Sequence, residues 1–399
     1  MTRLNKPSAI ISLILPIYLP SILISIGNGM IILIIPLLAV DLSKSYETAS
    51  LIFAMLGVGA LTADIPSGFL ISRLGIKKVM LLGLLLISLA SVTAGLINDT
   101  LIVGIVMFFL GVGRGLVLLS RMTYITNATI EERGRVVTIN VGMVRLGTLL
   151  GTIIGGFIAK IFGFNVALVI AGIIICSASV FVVFISSENG QVATNPKKNP
   201  FKTIKNILIQ FKSVFLTAGI AVVGLRLLLT ARTVIVPFWG NAIGLDAAEI
   251  GLIIGIYMLL ELTMIYPVGV IMDRYGRKWI TVSCITIFAF SFALIPLSND
   301  FSSLLIVVLL SGVGNGLGSG IFSVLGADFS PSKGRNEFLG VWRVIGDIGH
   351  TSAPFLVGLL TGFFTLASAS VFTAGIGLCS AMIMMFFVKE SKNITRGVN

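Results

Sequence analysis

Apolar runs of about 20 residues recur along the whole chain, each long enough to cross a hydrocarbon core of roughly 30 Å. No water-soluble fold hides that much apolar surface. The sequence is 56% hydrophobic and only 11% charged, against about 25% charged in a soluble domain. The first run follows Arg3 and Lys6 and extends from about Ile10 to Leu38. That is longer than the apolar core of a cleavable signal, so it reads as a retained first helix.

Hydropathy places spans at 12–38, 48–71, 79–96, 101–121, 137–160, 164–185, 214–239, 248–271, 279–297, 302–327, 338–360 and 367–388. The expected fold is all-α, with twelve transmembrane helices. An even number of spans returns the C-terminus to the side of the N-terminus. With the span-end residues Arg121 and Lys160 counted among the loop cations, that side carries 21 Lys and Arg, whereas the opposite side has only Lys44 and Lys160. By the positive-inside rule both termini face the cytoplasm of a cell membrane. The formal charge of +12 is therefore read by its position around the spans. It points to the lipid bilayer as a partner and not to nucleic acid.

One sizeable loop, residues 186–213, separates residues 1–185 from 214–399, two six-helix halves. Its opening SSENGQVATNPKKNP is polar and rich in breakers. Its second part spaces Phe201, Ile204, Leu208 and Phe211 as on one helix face. That pattern suits an amphipathic helix on the membrane surface, with a disordered linker as the alternative. Nine identities recur at a single offset of 201 residues: Pro36/Pro237, Pro66/Pro267, Gly68/Gly269, Arg73/Arg274, Gly75/Gly276, Lys77/Lys278, Gly111/Gly312, Gly113/Gly314 and Gly115/Gly316. Shared apolar composition does not align Gly, Pro, Arg and Lys in register. A duplicated six-helix unit does, and an even number of spans per copy makes the copies parallel about the membrane normal.

The loop after span eight carries Gly269, Asp273, Arg274, Gly276, Arg277 and Lys278; the loop after span two carries Gly68, Ser72, Arg73, Gly75, Lys77 and Lys78. A tight turn needs glycine, and the basic residues hold it at the membrane surface. These loops resemble the G-x-x-x-D-R-x-G-R-K signature of the major facilitator superfamily. The resemblance implies a cytoplasmic gating latch, stronger at Asp273 than at Ser72, where the acid is missing. The alternative is that both loops are simply basic turns. In span five, Gly147, Gly151, Gly155 and Gly156 are similar to the fifth-helix motif of drug-proton antiporters, with Thr152 where those have proline. Such small residues let helices pack closely, as in any packed membrane bundle. In span four, Gly111-Val-Gly113-Arg114-Gly115 is similar to the family's fourth-helix pattern. Met107 occupies the usual arginine position, and Arg114 lies two turns on, near the same face. The P-E-S-P-R segment of sugar porters and the E-x-x-E-R motif of peptide porters are missing.

Ionisable groups at bilayer depth cost roughly 2.5–3.5 kcal/mol on insertion scales and so mark cavities or pairs. Asp64, Glu261 and Asp347 are the acids; Arg114, Arg145, Arg226, Arg232 and Arg343 are the bases; His350 is the single histidine. Arg343 and Asp347 stand at i, i+4 and can pair. Asp347 and His350, at i, i+3, form the leading proton-carrying pair. Glu261 is the alternative carrier, because no opposite charge lies one turn away, and Asp64 is a further candidate. Five arginines against three acids leave positive charge over, which an anionic substrate would match. Arg226 is the best-placed contact, Arg114 is a second cavity candidate, and Arg232 is expected to snorkel. Asn28 and Asn315 fall in helices that line the cavity in the resembled family, and interhelical hydrogen bonding is their other reading.

Cys176, Cys284 and Cys379 lie in apolar runs without ligand spacing, and are expected as buried packing residues with no metal. No G-x-x-x-x-G-K-[ST] is present, so no nucleotide or other cofactor is expected. No catalytic constellation argues for an enzyme. The resemblance, over nearly the whole chain, is to the drug-proton antiporter branch of the major facilitator superfamily. It implies a monomeric transporter moving a small-molecule substrate by alternating access, coupled to an ion, the proton first. Three readings remain open: export of amphipathic compounds, import of organic anions or metabolites, and a receptor that binds without transport.

Overall fold

The structure, a computed structural model, describes residues 14–128, 133–183, 207–318, 320–331, 334–388 and 390. Twelve helical stretches among these are long and apolar enough to cross a membrane. The fold is all-α and multi-pass. Helix α1 (Leu19–Ser43) is entered through a π-helical turn, Ile14–Tyr18. Then come α2 (Tyr46–Leu74), α3 (Ile76–Leu96), α4 (Thr100–Ala128), α5 (Arg133–Phe162) and α6 (Phe164–Val182). Helix α7 (Ile220–Ala242) continues from a second π-helical turn, Phe215–Gly219, and is followed by α8 (Ala247–Tyr275) and α9 (Arg277–Leu294). Span ten is split into α10 (Phe301–Leu317) and α11 (Ile321–Phe329); α12 (Arg335–Phe363) and α13 (Leu366–Phe387) complete the series.

The chain divides into two compact units. One holds residues 1–193 with 246–255, the other 194–245 with 256–399. In the first, α1 packs on α5 and α6, α4 on α2 and α3, and α3 on α6. In the second, α7 packs on α12 and α13, α9 on α10 and α13. Each of these four repeats a pairing of the first unit. The repeated glycine triplet shows why. A Cβ added at Gly111 would run into the Leu56 carbonyl of α2, and one at Gly115 would lie 2.8 Å from Ala63 of α2. One at Gly113, on the opposite face, would lie 2.8 Å from the Gly83 carbonyl of α3. In the second unit Gly312 and Gly316 meet Tyr257 and Met264 of α8, and Gly314 meets Phe288 of α9. Each triplet is a close-packed wedge between two neighbours.

Gly75 and Gly276 adopt nearly the same backbone, φ 85° ψ 157° and φ 93° ψ 163°. This region is essentially closed to other residues, so the repeated loop glycine is a backbone requirement. Several helices outrun the spans read from hydropathy, as α4 does in continuing to Ala128. Arg121, counted above among loop cations, stands well inside α4 and is buried. The break in span ten was not foreseen, although Gly316, Gly318 and Gly320 mark it; Gly320 has φ 81°. Of the cysteines only Cys284 is buried, while Cys176 and Cys379 are exposed on α6 and α13, where lipid and not protein would cover them. Of the inter-repeat loop, only 207–213 lies within the described residues. There Ile207 is buried, Leu208 and Ile209 are exposed, and the Phe211 ring meets Phe338 edge-on at 5.2 Å.

Candidate functional site

In the first unit a cavity of about 200 Å³ opens among α1, α3, α4 and α5. Its wall follows helical periodicity. Arg114, Val117, Leu118 and Arg121 form one stripe of α4, with Ile24, Ser25, Asn28 and Ile32 on α1 and Val144 and Thr148 on α5. Polar and apolar groups alternate, so the cavity suits a solute with one polar end. The Asn28 Oδ1 and the Arg121 Nε are buried without a hydrogen-bond partner. Among the described residues no acidic side chain lines the cavity, and neither Arg114 nor Arg121 has an ion-pair partner. Sequence reasoning brought Asn28 and Arg114 to this place. It missed Arg121, whose seven-residue spacing from Arg114 was the available signal.

The second unit handles its charges differently. Arg232 of α7, expected to snorkel, is buried and forms a 2.7 Å ion pair with Glu261 of α8. Glu261, read as having no near opposite charge, therefore has one across the helix interface. The Arg232 guanidinium also lies over the Tyr257 ring at 4.0 Å and donates to Ser311 Oγ at 3.2 Å. Asp347 of α12 stands 3.5 Å from Arg226 of α7 and 3.5 Å from Arg343 one turn back. Arg226 is also 4.9 Å from the centre of the Phe322 ring. Its charge is thus matched within the protein, which moves the unmatched positive charge to the first unit. His350 is hydrogen-bonded to Thr230 of α7 through Nδ1. Asp347 and His350 therefore share a helix, and both face α7. Gly349 between them allows the approach, since a Cβ there would strike the Val223 carbonyl. Asn315 sits between Gly314 and Gly316 in the last turn of α10, and Asp64 is half-buried on α2.

Each repeated loop is tied to its own unit. Lys77 Nζ donates to the Val183 carbonyl at the end of α6, at 2.5 Å, where a helix C-terminus favours a cation. In the second unit the polarity is reversed. The Glu390 carboxylate, beyond α13, accepts from the backbone N–H of Arg277 at 2.9 Å and of Lys278 at the N-terminus of α9. Arg277 itself pairs with Asp328 of α11 at 2.7 Å. Gly68, Ser72 and Arg73 lie in the last turns of α2, with Ser72 Oγ bonded to the Phe69 carbonyl. The surroundings of Gly269 and the side chains of Asp273 and Arg274 lie outside the described residues, and so does the expected Asp273 latch.

Gly147, Gly151 and Gly155 bring α5 onto α1 at Ile22–Met30, and Gly156 faces Ala247 at the start of α8. Helix α5 runs on through Thr152, whose hydroxyl bonds the Leu149 carbonyl at 2.8 Å. At its end Lys160 pairs with Asp246 at 2.8 Å. Burial alone would raise the Asp246 carboxyl, but the Lys160 hydrogen bond and the Glu249 N–H together hold it below the usual range. A depressed acid contributes stability above its unfolded value and loses it as pH falls through the folded one. The difference in thermal midpoint between the native chain and Asp246→Asn should be flat from about pH 5 to 8 and close below about pH 4. A difference that instead grows on acidification would show that this pairing is not what holds the residue.

Comparisons with known proteins agree with this architecture. The chain is 28% identical over 172 residues to the multidrug resistance protein MdtG of Klebsiella pneumoniae (strain 342), spanning 42% of each protein. It is 24% identical over 389 residues to multidrug resistance protein 2 of Bacillus subtilis (strain 168), covering 94% of both. The crystal structure of a mutant of the nucleoside transporter NupG superposes with a TM-score of 0.76 at 16% identity, over 96% of this chain and 100% of that one; this likeness is one of fold. The Major Facilitator Superfamily model matches residues 17–233 and 227–397. With two units of repeated packing, repeated loop glycines and that match over nearly its whole length, this chain belongs to the Major Facilitator Superfamily, whose members carry small molecules across membranes.

Proposed function

We propose that the protein is a proton-coupled secondary transporter that exports small amphipathic compounds by alternating access. The observation that carries the coupling is the cluster on α7 and α12. Asp347 lies between two guanidinium groups, and His350 is held by Thr230. A proton taken up by Asp347 removes the charge that holds Arg226, so protonation and the α7–α12 contact are linked. Glu261, enclosed and held by Arg232 at 2.7 Å, serves as a structural partner, whereas Asp347 makes looser contacts of 3.5 Å with its two arginines and, with His350, is the carrier in this reading. The likeness to two multidrug resistance proteins supports the export direction. The positive charge of the repeated loops supports cytoplasmic termini in a cell membrane, and a monomer suffices, the repeats 1–185 and 214–399 acting as the moving parts.

Flux into proteoliposomes tests this, with ethidium and benzoate as probes. The native chain should concentrate at least one probe when a pH gradient is imposed. Asp347→Asn should abolish that dependence while exchange of labelled for unlabelled probe persists, and His350→Gln should shift its pH profile. Unchanged coupling in both variants overturns the proton assignment. Import of organic anions is the second reading, favoured by the unmatched arginines of the first unit. A chain that binds a probe yet moves none under any gradient is a receptor and not a transporter.

A further inference from the structure

Two cations on one stripe of α4, Arg114 and Arg121, face a cavity where no acid stands among the described residues. Seven residues place them about 10 Å apart along the axis. An arginine inside a span is tolerated when it is paired, reaches an interface or faces water. Among the described residues these two have no ion-pair partner, Arg121 is only 8% exposed, and its Nε and the Asn28 Oδ1 are buried with nothing to bond. Elsewhere the protein matches the charges it buries, as with Arg232 and Glu261. At the repeat-equivalent positions the second unit has Asn315 and Phe322 in place of Arg114 and Arg121, so neither cation is required by the shared fold. A group from outside the chain would match them.

Resting on the transport reading, we propose that this cavity docks the anionic end of the transported solute, a small organic acid. Arg114 and Arg121 donate charge-assisted hydrogen bonds to its carboxylate or phosphate ester, and the Asn28 amide completes the polar wall. At about 200 Å³ the space takes the charged end of such a molecule and not a whole drug-sized one. The apolar residues Ile24, Ile32 and Val117 receive the adjoining carbon skeleton. Specificity is then by charge: the neutral amide of the same acid leaves both guanidinium groups unmatched.

The test is thermal stabilisation of the purified full-length chain in phosphatidylcholine nanodiscs. The probes are aromatic and aliphatic carboxylates such as benzoate, hexanoate and glucuronate, each set beside its amide. Acids should raise the midpoint and amides should not. Arg114→Gln and Arg121→Gln should each weaken the best acid by roughly tenfold to a hundredfold, the range for one hydrogen bond to a charged group. Neither variant should unfold more easily without ligand, because each removes a charge that has no ion-pair partner among the described residues. Arg121→Lys should recover part of the affinity.

Four outcomes overturn the proposal: equal response to acids and amides, a response that survives both Gln variants, an equal response to sodium phosphate, and loss of the response when phosphatidylglycerol is added. The last would assign the arginines to lipid headgroups. Flux separates the two levels. Movement of neutral or cationic probes that is indifferent to both Gln variants overturns the anion site and leaves the transporter standing; movement of no probe at all overturns both.

Discussion

Glu261→Gln and Arg232→Met, made singly, are each expected to destabilise the protein by about 3–5 kcal/mol, the cost of leaving one buried partner charged and unmatched. The two side chains are 10% and 5% exposed and meet at 2.7 Å. Arg232 is further enclosed by Tyr257, Phe288 and Ser311, so the pair ties together α7, α8, α9 and α10. The corresponding positions in the first unit are Ile31 and Ala60, where the same helix packing carries no charge. The double variant Arg232→Ile, Glu261→Ala therefore copies the first unit. It should recover most of the loss, because replacing both members of a buried pair by apolar groups is often neutral. The measurement is the half-life of monodisperse protein in detergent at a fixed temperature, which is appropriate where unfolding is irreversible. Single variants as durable as the native chain would show that the pair is not closed in the folded protein.

Gly151→Leu should prevent stable packing of α1 on α5. A Cβ at this position runs into the Ile26 carbonyl, and backbone does not give way as a side chain does. Overpacking ordinarily costs about 1–3 kcal/mol, and a backbone obstruction belongs at the top of that range or beyond. Gly59, against the Phe108 carbonyl, is the same case between α2 and α4. Gly375 of α13 provides the control, because no atom outside its own helix lies within 4 Å of a Cβ there. Gly375→Leu should be neutral or slightly stabilising through its better helix propensity. Yield and size-exclusion profile after expression separate the cases. If the Gly151 and Gly375 variants behave alike, close approach is not why the α5 glycine is needed.

Together the two variants distinguish what makes the units alike from what makes them differ. Glycine wedges recur in both, at Gly111, Gly113 and Gly115 and again at Gly312, Gly314 and Gly316. Charge does not recur. The second unit closes its arginines against Glu261 and Asp347, whereas the first leaves Arg114 and Arg121 facing a cavity. In the reading proposed above, one half carries the proton and the other recognises charge.

The membrane class, the number of spans, the duplication and the turn glycines were all legible from the residues alone. Each rests on a local quantity: the length of an apolar run, a constant offset of 201 residues, or a backbone angle that only glycine adopts. Charge partners were not legible. Spacing along one helix identified Arg343 with Asp347, but Arg232 and Glu261 lie on different helices, and so do Arg226 and Asp347. Whether two such groups meet depends on how far each helix is rotated and slid against its neighbour. That is set by close packing at glycines such as Gly349 and Gly316, contacts made between segments distant in sequence. Hydropathy likewise counted Arg121 as a loop cation, and only the packing of α4 against its neighbours buried it. The apolar pattern and the repeat thus decided that this chain is a twelve-span, two-part membrane protein. Helix packing decided which of its charges, among the described residues, find a partner on another helix and which do not.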